Sequence, residues 1–156
     1  MKISTFALTM IGLAAALAPA MLTAQMPGRH PAYLHARSDL RAAQFLMRVR
    51  EEQNVTRHMM EADREVEAAI GEIDRAAVLD RKDLEDHPRV PPIGDRLGRF
   101  RRTVELLREA RAELGREEDN GRARGWRDAA FGHIDQALEH VHKAAVELRW
   151  DRELGF

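Results

Sequence analysis

The stretch "ADREVEAAIGEIDRAA", residues 62 to 77, decides the fold. With Met59 just before it, its apolar residues Ala62, Val66, Ala69, Ile73 and Ala76 recur at spacings of three and four. A helix turns once in 3.6 residues, so these side chains line up as one stripe. Arg, Asp and Glu fill the other positions, as on a solvated face. A helix of this kind must bury its stripe against partners. The chain supplies them. Tyr33, Ala36, Leu40, Ala43 and Met47 form a second stripe. Leu97, Phe100, Val104, Leu107 and Leu114 form a third, and Ala130, Ile134, Ala137, Val141, Ala144 and Leu148 a fourth. No window alternates with period two, so no strand is expected.

The opening stretch also recurs. "AAIGEIDRAA" (68 to 77) matches "AAFGHIDQAL" (129 to 138) at six of ten positions. "LRAAQFLMR" (40 to 48) aligns with "FRRTVELLR" (100 to 108) at Arg41/Arg101, Leu46/Leu106 and Arg48/Arg108. "REEQN" (50 to 54) echoes "REEDN" (116 to 120). The pattern predicts one all-α domain over residues 25–156, built as two duplicated helical hairpins. The helices are expected at about 31–52, 56–79, 95–116 and 121–149. Asn54 or Thr56 caps the second, and Asn120-Gly121 is a stop signal. Pro88, Pro91, Pro92 and Gly94 interrupt any helix in the connection 80–95. Two short turns imply an up-down-up-down four-helix bundle. Gly71 and Gly132 fall at equivalent mid-helix positions. Glycine there costs about 1 kcal/mol against alanine. Close packing of the second helix on the fourth is the expected reason.

Residues 1 to 25, "MKISTFALTMIGLAAALAPAMLTAQ", have the parts of a secretory signal. Lys2 leads, an uncharged apolar run follows, and Pro19 and small residues close it. Cleavage is expected after Ala24, with Ala20 as the alternative. This places the protein in a bacterial periplasm or outside the cell. The run is shorter than a bilayer span requires, so no membrane span is expected after cleavage. The chain has no cysteine, which excludes disulfides, thiolate metal sites and covalent haem attachment. A net charge of −1 argues against nucleic acid as a partner. No G-x-S-x-G, H-E-x-x-H or phosphate-binding glycine loop occurs, so no enzyme activity is expected.

The histidines carry the remaining chemistry. The expected topology gathers His30, His35, His87, His140 and His142 at one end of the bundle. Asp80, Asp83, Glu85, Asp86 and Asp95 join them there, with His58 at the far end and His133 midway. Imidazole and carboxylate together suit Zn, Cu or Ni. Local spacing makes no site. His30 and His35 diverge on a helix, and His140 and His142 do not share a face. Glu139 and His142 form a single E-x-x-H, whereas di-iron bundles need two such pairs and further glutamates. The metal expectation therefore rests on His30, His35, His87 and His142 drawn from separate segments. A b-type haem would need an inward His or Met pair, for which His133, Met47, Met59 and Met60 are the available residues. The polar alternative is that these histidines simply sit at helix ends, where an imidazolium complements the C-terminal dipole. A cluster at one pole would also respond to pH between 6 and 7.

The combination of "HPAYLHARSDLRAA", "DHP" and "REEDNGRARGWRDAAFGHIDQAL" resembles a group of small exported four-helix proteins of soil bacteria such as acidobacteria. The resemblance spans nearly the whole mature chain. It implies fold and export, and assigns no activity and no site residue. There is a surface likeness to periplasmic stress chaperones of the helical-hairpin type. Their repeated L-T-x-x-Q is missing, since "LTAQ" at 22 to 25 is one residue short. The leading expectation is an exported, non-enzymatic protein that binds a protein or a small ligand, or associates with itself. A metal-binding bundle and a haem bundle are the alternatives.

Overall fold

The computed structural model describes residues 31–79, 94–116 and 121–156. The expected signal peptide lies outside them. Four helices account for the described fold: α1 (Pro31–Met47), α2 (Gln53–Leu79), α3 (Arg96–Gly115) and α4 (Arg124–Glu147). No strand is present among the described residues. No helix there is long and apolar enough to cross a membrane. The all-α four-helix bundle is as the stripes predict, and the stripes are its core. Tyr33, Leu40, Val66, Ile73, Leu107, Ile134 and Val141 are fully buried, with Ala62, Ala69, Ala76, Ala130, Ala137 and Ala144 beside them.

The helix ends follow from local chemistry. Asp95 caps α3, its carboxylate accepting a hydrogen bond from the Gly98 backbone N–H at 2.6 Å. The first turn falls at 48–52, earlier than expected. Thr56 secures it from inside α2: its hydroxyl accepts from the Glu51 N–H and donates to the Glu51 carbonyl, both at 2.9 Å. α4 ends with Arg149 in the left-handed region at φ 59. The Trp150 N–H then reaches back to the Ala145 carbonyl at 2.8 Å, the hydrogen bond that closes a helix C-terminus. Beyond it the chain folds over the bundle. Leu154 is buried, and Trp150 meets Phe100 edge-on with centroids 5.8 Å apart.

The order of helix directions differs from simple alternation. Arg96 and Arg99, in the first turn of α3, form ion pairs with Glu51 in the α1–α2 turn. Arg96 also lies over Trp150, just past the end of α4. The start of α3 therefore sits where α1 ends, α2 begins and α4 finishes. α2 and α3 run the same way, and the order is up, down, down, up. α2 ends and α3 begins at opposite ends of the bundle. The most extensive pairings are α2 with α4 and α1 with α3. Both are antiparallel, since Glu65 meets His133 while Glu61 meets His140, further along α4 and earlier on α2.

In this arrangement α1 packs on α3 and α2 on α4, the helices whose sequences resemble each other. Each helix packs antiparallel on its counterpart. Equivalent repeat positions have equivalent burial: Ala69 and Ala130, Ile73 and Ile134, Ala76 and Ala137, Leu46 and Leu106. The glycines do not play the part expected of them. A Cβ built on Gly71 or on Gly132 meets nothing within 4 Å. The tight α2–α4 pairing instead rests on the alanines of the two stripes, whose small side chains let the backbones draw together.

Candidate metal centre

The α2–α4 seam is flanked on one side by titratable side chains. His58 and Glu61 are three residues apart near the start of α2, so they share a face. Met59 and Ala62, which alternate with them, point into the core. His140 comes from the second half of α4, next to buried Val141. Across the seam, His140 Nδ1 lies 3.1 Å from Glu61 Oε2. His58 Nδ1 lies 3.9 Å from the same oxygen. One ligand atom from each residue fits within a sphere of mutual distances below 4.8 Å.

Direction matters as much as distance here. Both Nδ1 atoms are shut off from solvent, yet neither forms a hydrogen bond. At 3.1 Å the His140–Glu61 gap is short enough for one, but the groups face each other off-line. Two ligands each about 2.0–2.1 Å from a tetrahedral ion stand about 3.4 Å apart, between the two observed gaps. The three side chains therefore lie close enough together to share one ion. Two neutral imidazoles and one carboxylate are a familiar donor set for Zn and suit Cu and Ni also.

One further contact on the same side of the seam shows what a paired histidine looks like. His133 lies two turns before His140 on α4, and Glu65 one turn after Glu61 on α2. His133 Nδ1 and Glu65 Oε2 are hydrogen-bonded at 2.8 Å. The Nδ1 of that imidazole is committed to a carboxylate. Met47 and Met59 are buried core residues and Met60 is exposed.

Of the four histidines expected from the sequence, the two that are described, His35 and His142, do not come together. His30 and His87 lie outside the described residues. His35 is exposed at the start of α1. His142 is at the opposite end, stacked on Phe156 with ring centroids 4.6 Å apart. α1 begins at the end of the bundle where α4 also begins, so His35 and His142 are separated by the length of the fold. Of the expected E-x-x-H, Glu139 is exposed and paired with Lys143 at 3.5 Å. The expected pole mixed two ends because it assumed alternating helix directions. The same assumption sent His58 and His140 apart, and the true order brings them together.

One other charged cluster stands out, between α1 and α3. Burial and the neighbouring Glu109 push the Asp39 carboxyl up to about 6, against the pull of Arg102 and His35. Arg102 is itself bound to Glu105 at 3.2 Å and Glu109 at 3.3 Å. No family model, curated protein or solved structure matches this chain.

Proposed function

We propose that the chain is an exported binding protein whose ligand is a divalent transition metal ion, held by His58, Glu61 and His140. One observation carries the reading: two imidazole nitrogens, shielded from water and without a hydrogen bond, lie 3.9 and 3.1 Å from one carboxylate oxygen across two helices. Leaving such groups unsatisfied costs stability. An ion bound by both nitrogens removes that cost at His58 and His140. Export is supported by the charged, apolar and small-residue regions at the start of the sequence. With no cysteine available, imidazole and carboxylate are the ligands that the chain has to offer.

Protein purified without a histidine tag should retain close to one ion per chain after dialysis against zinc. At a free concentration about 100 times Kd, binding stabilises the fold by about 2.7 kcal/mol, or a rise in Tm of roughly 8 °C. His140→Ala and Glu61→Gln should each remove the ion and the shift while keeping the helical circular dichroism. An equal shift in His140→Ala, or no retained Zn, Cu or Ni in the parent chain, overturns the reading.

A further inference from the structure

Glu61 belongs to two places at once. Its Oε2 faces the histidines, and the residue also lines an open cleft of about 550 Å³ on the outer side of α2. Three arginines line that cleft, Arg50, Arg57 and Arg64, all exposed. None of them is ion-paired with a carboxylate among the described residues, whereas most other arginines of the bundle are. The only other acid of the cleft, Glu51, is already bound by Arg96 and Arg99. Arg57 stands four residues before Glu61 and Arg64 three after, so both flank it on the helix surface.

Three protein ligands leave a tetrahedral ion with one open position. Glu61 connects that position to the cleft. When an ion takes up the Glu61 charge, the cleft holds three guanidinium groups and no free carboxylate. Guanidinium is a planar fork of N–H donors, matched to the oxygens of carboxylate and phosphate. A volume of this order suits a small molecule. We infer that the cleft binds a small oxyanion, a carboxylate or a phosphate. One of its oxygens completes the coordination of the ion held by His58, Glu61 and His140, and Arg57 and Arg64 hold the others. The inference rests on the metal-binding reading, and names the second ligand of the same site.

Cobalt(II) tests it, because its visible absorption changes with the ligands around it. The full chain loaded with Co(II) is titrated separately with inorganic phosphate and with succinate. A saturable spectral change is expected with at least one of them, and the lower midpoint identifies which anion chemistry the cleft prefers. The double variant Arg57→Gln/Arg64→Gln should bind Co(II) as the parent does and raise the anion midpoint about tenfold. Arg124→Gln, at the opposite end of the bundle, should leave it unchanged. A loaded spectrum unmoved by either anion, or an unchanged midpoint in the double variant, overturns this inference alone. Failure of the parent chain to take up Co(II), Zn, Cu or Ni overturns the metal-binding reading, and this one with it.

Discussion

The two antiparallel helix pairs occupy equivalent places in the bundle, yet differ in substance. α1 and α3 bring large side chains to the core: Tyr33, Leu40, Leu46, Phe100, Leu106 and Leu107. α2 and α4 bring alanine at every other stripe position, with Val66, Ile73, Ile134 and Val141 between. The polar contacts differ in the same way. Where α3 starts, Arg99 and Glu51 form an ion pair with both side chains only 9% exposed. Guanidinium stays protonated across the physiological range, so that contact is fixed. Across the α2–α4 seam the partners of the carboxylates are imidazoles, side chains that can also act as metal ligands. One pair of helices is built to be inert and the other to respond, and the thin alanine seam is what lets short His and Glu side chains reach across.

The sharpest way to break this contrast is to remove one carboxylate from the α2–α4 seam and one, in the α1–α2 turn, from the ion pair at the start of α3. Glu51→Ala leaves the Arg99 guanidinium buried with its partner gone, and burial already holds that group below its usual pKa. A loss of about 3 kcal/mol is expected in urea unfolding, nearly equal at pH 6 and pH 8. Glu61→Ala in metal-free protein removes a carboxylate that forms no hydrogen bond with either histidine. Its cost should stay below about 1 kcal/mol. If the metal-free costs are equal, the α2–α4 contacts are structural in the same sense as the α1–α3 ones, and the division of labour fails.

A smaller effect, opposite in sign, belongs to the fixed side. Burial and Glu109 raise the Asp39 carboxyl to about 6, above the ordinary aspartate range. A carboxyl raised in the fold binds its proton more tightly there than in the unfolded chain. Its contribution is therefore fully present below about pH 4 and lost as pH rises through 6. Above that, ionised Asp39 is a cost. Asp39→Asn should stabilise the protein at pH 7.5 by about 1 kcal/mol, a figure discounted for the solvent that still reaches the group. The gain should vanish by pH 4. A stability difference independent of pH would assign the effect to something other than ionisation.

How far these regions were legible in the sequence differs too. The stripes were fully legible, because period and burial are one fact seen twice. Ala62 through Ala76 and Ala130 through Ala144 are predicted and buried alike. The candidate metal centre was not. His58 and His140 are distant in sequence, and whether they meet depends on the connection at 80–95. Sixteen residues reach about 50 Å when extended, while a helix of twenty is about 30 Å long. That length permits a return at one end or a crossing to the other. Pro and Gly counts do not distinguish the two. Two signals were nonetheless present: His58 and Glu61 share a face beside the Met59–Ala62 stripe, and His133 and His140, seven apart, share a face beside the α4 stripe.

The smallest effect concerns the glycines, where packing and propensity give opposite signs. A close approach of α2 and α4 at Gly132 would make any side chain there destabilising. The helices do approach closely, but through their alanines, and Gly132 is on the exposed side of α4 with open space where its Cβ would be. The term that remains is intrinsic. Glycine loses more backbone freedom than alanine on entering a helix. Gly132→Ala should therefore raise stability by roughly 0.5–1 kcal/mol, a few degrees in Tm. Gly132→Leu should be tolerated and not destabilising, since leucine is also a good helix former and has room. A clear fall in Tm for either variant would mean that the backbones meet at the glycines after all, and that the alanine seam is not what sets the spacing on which the His58–Glu61–His140 geometry depends.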